Sequence, residues 1–171
     1  MIIRQEKTED INDIREVNEK AFGKPQEANI INNLRRNCDE LLSLVAVENE
    51  KIVGYILFSP AIIDGKHGII KGMGLAPMAV LPEKQRQGIG SELVKIGIEY
   101  LKETKYLFII VLGHPEYYPR FGFEPASRYR IKSQWEGVPD NAFIILWLDK
   151  TMMDKVSGVA KYRDEFNEAI L

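Results

Sequence analysis

An α+β (α/β) fold, with one mixed, mostly antiparallel sheet and helices on both faces, is predicted by three features of this sequence. Two β-branched apolar runs, Leu42–Val47 and Ile52–Phe58, flank the polar stretch Glu48-Asn49-Glu50-Lys51, the pattern of an antiparallel hairpin. The helical stretch Ser91–Leu101 stands between an extended segment, Gly74–Leu81, and the short apolar run Tyr106–Leu112. Strand, helix, strand in that order implies a parallel crossover, because parallel strands need a long connection. Two helical periodicities precede the hairpin, which supplies helices for a second face. The 171 residues, 45% hydrophobic and 28% charged, fit a single globular domain, residues 1–171, with its core in about 1–150 and a C-terminal extension over 151–171.

Taken in order, Met1–Gln5 alternates weakly and suits a short first strand. Thr8 offers a hydroxyl N-cap to a helix carrying Ile11, Ile14, Val17 and Phe22 at helical spacing. Gly23-Lys24-Pro25 breaks it, and Pro25 fits the first turn of a second helix with an Ala28, Ile31, Leu34 stripe and with Arg35 and Arg36 at the end where cations suit the dipole. After the hairpin, Ile62–Leu81 reads as extended, with a polar turn at Asp64-Gly65-Lys66. Pro77 and Pro82 sit inside or at the edge of its last strand, where a missing ladder donor marks an edge or a bulge. In the helix that follows, Leu93, Ile96, Tyr100 and Leu101 fall at core spacing, and Tyr106–Leu112 has the continuous apolarity of a strand buried on both faces. Glu116–Phe121 suits a short helix despite Pro119, and Ala142–Leu148 is the last clear strand. The tail from Asp154 to Leu171 is amphipathic around Phe166 and Ile170.

Composition excludes several classes of function. With 23 Lys+Arg against 25 Asp+Glu, the net charge of -2 gives no general attraction to nucleic acid or to a membrane. Cys38 is a lone cysteine, read as a small residue near a helix end, and His67 and His114 lie far apart, so no metal site is expected. No apolar run approaches the ~18–20 residues of a membrane span, and the N-terminus lacks the apolar stretch of a signal peptide. A cytoplasmic protein is the expectation.

The chemistry-bearing segment runs from Met78 to Ser91: strand, polar turn, two glycines, helix. Glycine lets backbone approach a ligand and adopt positive φ, and the first amides of a helix lack intrahelical partners and lie at the positive end of its dipole. Gly88 and Gly90 at such a junction, with Lys84 and Arg86 beside them, ask for a phosphate or pyrophosphate. A dinucleotide fingerprint would need a third glycine where Leu93 stands, and a Walker A loop would need a lysine after Gly90. A tight turn into a helix with no ligand is the alternative for a lone Gly-x-Gly.

The surroundings decide between these. Gln85-Arg86-Gln87-Gly88-Ile89-Gly90 resembles the Gln/Arg-x-x-Gly-x-Gly/Ala motif of the GNAT superfamily of N-acetyltransferases, preceded by Val80-Leu81-Pro82 and followed by a helix. Tyr118-Pro119-Arg120-Phe121-Gly122-Phe123 resembles the family's second signature, a tyrosine four residues before a Gly-Phe pair. The resemblance covers about Met1 to Leu148 and implies an acetyl-CoA-dependent N-acetyltransferase acting on a small-molecule or peptide amine, with no metal. Dimers are common in the superfamily, so a homodimer is open.

The resemblance implies that Met78, Ala79 and Val80 present backbone to the pantetheine arm and the thioester. An amide there is placed to stabilise an oxyanion. Gln85, Arg86, Gln87, Gly88, Ile89, Gly90 and Ser91 would wrap the pyrophosphate. Tyr118 matches the family's tyrosine and is the expected acid for the departing thiolate, with Tyr117 the neighbour it must be told from. Many relatives carry an asparagine where this chain has Gly113-His114-Pro115. The base stays open among Glu27, Asp64, Glu116 and water, and Glu27, Asn32, Arg35 and Trp135 are candidates to line the acceptor pocket. A non-catalytic acyl-CoA-binding domain and transfer of another acyl group are the competing readings.

Overall fold

A computed structural model describes residues 1–169 of the chain. Its sheet runs β1 (Ile2–Gln5), β2 (Leu42–Glu48), β3 (Lys51–Gly65), β4 (Gly68–Val80), β5 (Phe108–Leu112), β8 (Phe143–Trp147) and β6 (Glu124–Pro125) from one edge to the other. β7 (Ile131–Ser133) and β9 (Gly158–Lys161) join beside β3. The β4–β5 and β7–β9 pairs are parallel and the others antiparallel. The helices are α1 (Ile11–Phe22), α2 (Gln26–Asn37) and α3 (Ile89–Lys102), the last forming the predicted crossover from β4 to β5.

Alternation along β3 sends successive side chains to opposite faces, and each face meets different helices. Gly54 lies under α3: a Cβ there would fall 2.9 Å from Ile89 and 3.2 Å from Leu93. Phe58 is on the same face, and a Cβ on Gly97 of α3 would sit 2.4 Å from its ring. The helix therefore seats directly on the sheet because two positions carry no side chain. Tyr55, on the other face, shares a 2.7 Å hydrogen bond with Ser43 and lies beside Glu6 and Arg35 of the α2 side. Tyr100, expected in the core, is 42% exposed, since α3 turns Leu93, Val94, Gly97 and Leu101 inward instead.

Other expectations change at the level of single residues. Thr8 does not cap α1; a 3₁₀ turn over Thr8–Asp10 precedes it, and buried Asp10 accepts the Lys7 N–H at 2.7 Å and two Arg4 bonds at 2.7 and 3.0 Å. β3 is one long strand through Ser59-Pro60-Ala61, and its turn falls at Lys66-His67. Pro60 is tolerated because it lies between the first residue of β2, Leu42 opposite Phe58, and the last residue of β9, Lys161 opposite Ile62. Glu116–Phe121 gives only a 3₁₀ turn, Tyr118–Phe121. The sheet also continues past Leu148, because β9 takes up the β2 side of β3 at Ile62–Asp64. Phe166 is buried in a final 3₁₀ segment, Asp164–Ala169, and Ile170 lies outside the described residues.

Candidate active site

The site starts from an interruption in the sheet. β4 and β5 are paired only at Met73–Leu75, so beyond Leu75 the β5-facing edge of β4 has no strand partner among the described residues. On its other side β4 carries one extra residue against β3, between Leu75 opposite Phe58 and Met78 opposite Ile56, which places the bulge at Ala76-Pro77. The proline that marked this strand in the sequence sits in that bulge. A cleft of about 900 Å³ opens where the two strands part.

Tyr162, which follows β9, closes the apex of the fork. Its hydroxyl lies 3.1 Å from both the Leu75 and the Ile110 carbonyl oxygens, one on each strand. Its ring passes across Gly74, where a Cβ would be only 2.4 Å away. Burial holds its phenol well above the ordinary range, so it stays protonated and keeps its hydrogen for those carbonyls.

The expected anion site lies at one end of the cleft. Gly88 is left-handed, with φ of 88°, and the first α3 bond runs from the Glu92 N–H to its carbonyl at 3.1 Å. The amides of Ile89, Gly90 and Ser91 therefore have no intrahelical acceptor. Gly90 is packed from above, since a Cβ there would meet the Tyr117 hydroxyl at 3.3 Å and the Met78 methyl at 3.4 Å. The Gln85 side chain ties the turn down by donating to the Val80 carbonyl at 3.1 Å. Of the residues expected around the cofactor, all but Ala79 and Gln87 line the cleft; Ala79 is buried, and Gln87 is exposed and donates to the Glu83 carbonyl at 3.3 Å. Lys84 reaches the cleft but is paired to Glu48 at 2.6 Å, so the mobile charge expected of it is engaged. Arg86 remains, and Arg120, inside the second signature, joins it with its guanidinium 4.6 Å from the Tyr117 ring centre.

The two neighbouring tyrosines have different surroundings. Tyr117 shares a 3.0 Å hydrogen bond with Ser91 and belongs to the turn. Tyr118 is 7% exposed, lines the cleft, and packs its ring under Gly113 and against Phe123, while its hydroxyl has no hydrogen-bond partner among the described residues. Burial first, and the Tyr117 hydroxyl second, raise its pKa above that of an ordinary phenol.

Glu27 is the one carboxylate among the described lining residues, which also include Phe22, Ile30, Trp135 and Phe166. Of the other residues proposed as base, Asp64 pairs with Lys161 at 3.4 Å, and neither it nor Glu116 lines the cleft. Arg35 is held by Glu6 at 2.6 and 3.0 Å and by Asn32 at 2.9 Å, so these two α2 residues are structural. Phe22 and Phe166 read in the sequence as packing positions and Tyr162 carried no signal, so none of the three marked the site.

A family profile described as an acetyltransferase (GNAT) domain matches residues 2–126. The Escherichia coli K12 N-acetyltransferase YhbS is 33% identical over 168 residues, covering 98% of this chain and 99% of that one. The crystal structure of that GNAT protein in complex with CoA superposes with a TM-score of 0.89 at 32% identity, over 97% of this chain and 91% of the other. A Brucella melitensis GNAT acetyltransferase in complex with acetyl-CoA gives 0.79 at 31% identity, over 96% and 97%.

Proposed function

We propose that this chain, which belongs to the GNAT acetyltransferase family, moves the acetyl group of acetyl-CoA to a primary amine by direct attack in a ternary complex. One observation carries the reading: a helix N-terminus with free amides, an unpaired strand edge and a buried, unpartnered phenol meet in a single cleft. The amides of Ile89, Gly90 and Ser91, with Arg86, fit a pyrophosphate. The free edge of β4 beyond Leu75 fits an amide-bearing arm that pairs as a strand would. When bound, acetyl-CoA supplies a thioester whose carbonyl carbon is the electrophile.

The chain's own residues then manage protons. An alkylammonium with a pKa of ~10.4 must first become an amine, and Glu27 takes that proton. The new C–N bond forms as the C–S bond breaks, with the electron pair leaving on sulfur. Tyr118 gives its proton to that sulfur, and the second proton of the amine restores the phenol. The products are an amide and a free thiol, with one proton passed by Glu27 to solvent. Tyr162 is unsuited to the acid role because its hydrogen is committed to carbonyls, and Tyr117 is engaged with Ser91. The raised pKa of Tyr118 suits the role, since an apolar site raises the basicity of a thiolate as well as of a phenolate. A reducing, cytoplasmic setting accords with the lone cysteine.

The test is release of free CoA thiol when purified protein meets acetyl-CoA and a panel of aminoglycosides, polyamines, amino acids, arylalkylamines and protein N-termini. Thiol and acetylated amine, identified by mass, appear in equal amounts with at least one acceptor. Tight acetyl-CoA binding with no amine-dependent thiol release across the panel would make the protein a binding module instead.

A further inference from the structure

The end of the cleft away from the phosphate turn has a composition of its own. Trp135 and Tyr162 stack with ring centres 5.6 Å apart and planes 27° from parallel, and Tyr162 packs on Phe166 at 5.0 Å. Polar bonds fix both residues: Trp135 Nε1–H donates to the Asn167 side chain at 3.1 Å, and the Tyr162 backbone amide donates to the Gln134 side chain at 2.6 Å. Phe22, 38% exposed at the end of α1, adds a further apolar surface. Gln26 donates to the Glu168 carbonyl at 2.5 Å, tying the first turn of α2 to the segment that carries Phe166. Glu27, next in the chain, therefore shares one chamber with the aromatic plates.

Glu27 is incompletely satisfied there. Its Oε2 is buried with no hydrogen-bond partner among the described residues. Among the described residues its Oε1 meets only Lys24, at 3.5 Å, and that lysine is 53% exposed. A buried carboxylate oxygen without a donor is unfavourable until a cation or donor reaches it. The other charged lining residues, Lys84, Arg86 and Arg120, belong to the phosphate turn and its approach and to the second signature.

We infer that the acceptor is a monoamine: one primary ammonium, seated on Glu27, carried by a flat apolar body that lies in the chamber walled by the Trp135–Tyr162 stack. Its reaction rests on the acetyl-transfer reading above, whereas its binding does not. Aromatic walls give area to an apolar body and attract its ammonium at the ring faces. A polyamine or aminoglycoside brings further charges and hydroxyls, which meet apolar surface and the like charge of Lys24.

The test is binding to protein saturated with CoA, so that no reaction occurs, followed through tryptophan emission and calorimetry. The probes are phenethylamine, its uncharged analogue phenethyl alcohol, and spermidine. Phenethylamine binds saturably, shifts the tryptophan emission, and binds about tenfold or more tightly than either of the others. Glu27→Gln weakens phenethylamine by about tenfold or more and leaves phenethyl alcohol unchanged, a contrast that misfolding does not produce. Trp135→Phe abolishes the emission change and retains Glu27-dependent binding by calorimetry. Spermidine binding as tightly as phenethylamine, or equal phenethylamine affinity in wild type and Glu27→Gln, overturns the inference. Phenethylamine that binds as described but releases no thiol from acetyl-CoA leaves the chamber assignment standing and removes the transfer reading.

Discussion

The two ends of the cleft are built in opposite ways. The phosphate end comes from short contiguous segments, Met78–Ser91 and Tyr117–Arg120, and offers mainly backbone: free amides at the start of α3 and an unpaired edge on β4. The far end draws single side chains from distant elements, Phe22, Glu27, Trp135, Tyr162 and Phe166, and offers mainly surface chemistry. A backbone site is specified by glycines, a strand end and a helix start, so it tolerates side-chain change around it. A side-chain site has no fixed spacing and can be rebuilt one residue at a time. The same scaffold can therefore keep its cofactor while its acceptor varies.

The largest effect expected falls on Tyr118, in the second of those contiguous segments. Tyr118→Phe keeps the ring that packs under Gly113, so cofactor affinity is retained while kcat drops roughly 10²–10⁴-fold, the scale of a positioned acid. Tyr117→Phe, which loses only its bond to Ser91, is much milder and acts mainly on the KM for acetyl-CoA. Steady-state CoA release from both variants decides, and full kcat in Tyr118→Phe with collapse in Tyr117→Phe would move the acid one residue earlier. The pH profile sharpens the point. The acid form is required and its folded pKa is raised, so kcat shows no decline from this group on the way up to pH ~10, the ordinary phenol value.

Gly88→Asp comes next and acts on one end alone. The residue holds φ of 88°, which strains any side chain, and the new carboxylate faces the anion site. Acetyl-CoA affinity, measured by calorimetry on folded protein, falls by about tenfold or more, whereas phenethylamine affinity is kept. Loss of both affinities together would mean that the two ends are not independent.

Smaller effects belong to the fork. Tyr162→Phe leaves the Leu75 and Ile110 carbonyls without their shared donor and destabilises the protein by ~1–3 kcal/mol, read by urea unfolding. Gly74→Ala forces a methyl into the Tyr162 ring and costs a similar ~1–3 kcal/mol. If neither variant changes stability, Tyr162 does not close the apex of the fork.

How much of this was legible in the sequence follows the same division. Pro77 marked the bulge, Gly88 and Gly90 marked the turn into α3, and Ser91–Leu101 marked the crossover helix, because each is a backbone requirement with a residue signature. β9 was not legible: Gly158-Val159-Ala160-Lys161 buries little more than Ala160, too small for a hydrophobic pattern. The cap at α1 was misplaced because Asp10 acts through Arg4, a partner six residues away on β1. Lys84 has the sign of a phosphate ligand, but the hairpin brings Glu48 to within 2.6 Å of it, and charge sign carries no geometry. Tyr162 reaches the fork only through the pairing of β9 with β3, a contact of long sequence separation.

The most direct test of the central claim, that the turn from Gln85 to Ser91 is a CoA site, is thermal unfolding of the wild-type protein with CoA, acetyl-CoA, NAD or ATP. A ligand that binds only the folded state adds ~2.7 kcal/mol at a hundredfold excess over Kd, or about 5–10 °C in Tm for a chain of this size. CoA and acetyl-CoA produce that rise, and NAD and ATP leave Tm nearly unchanged. A rise with NAD or ATP and none with CoA would contradict the account at its root.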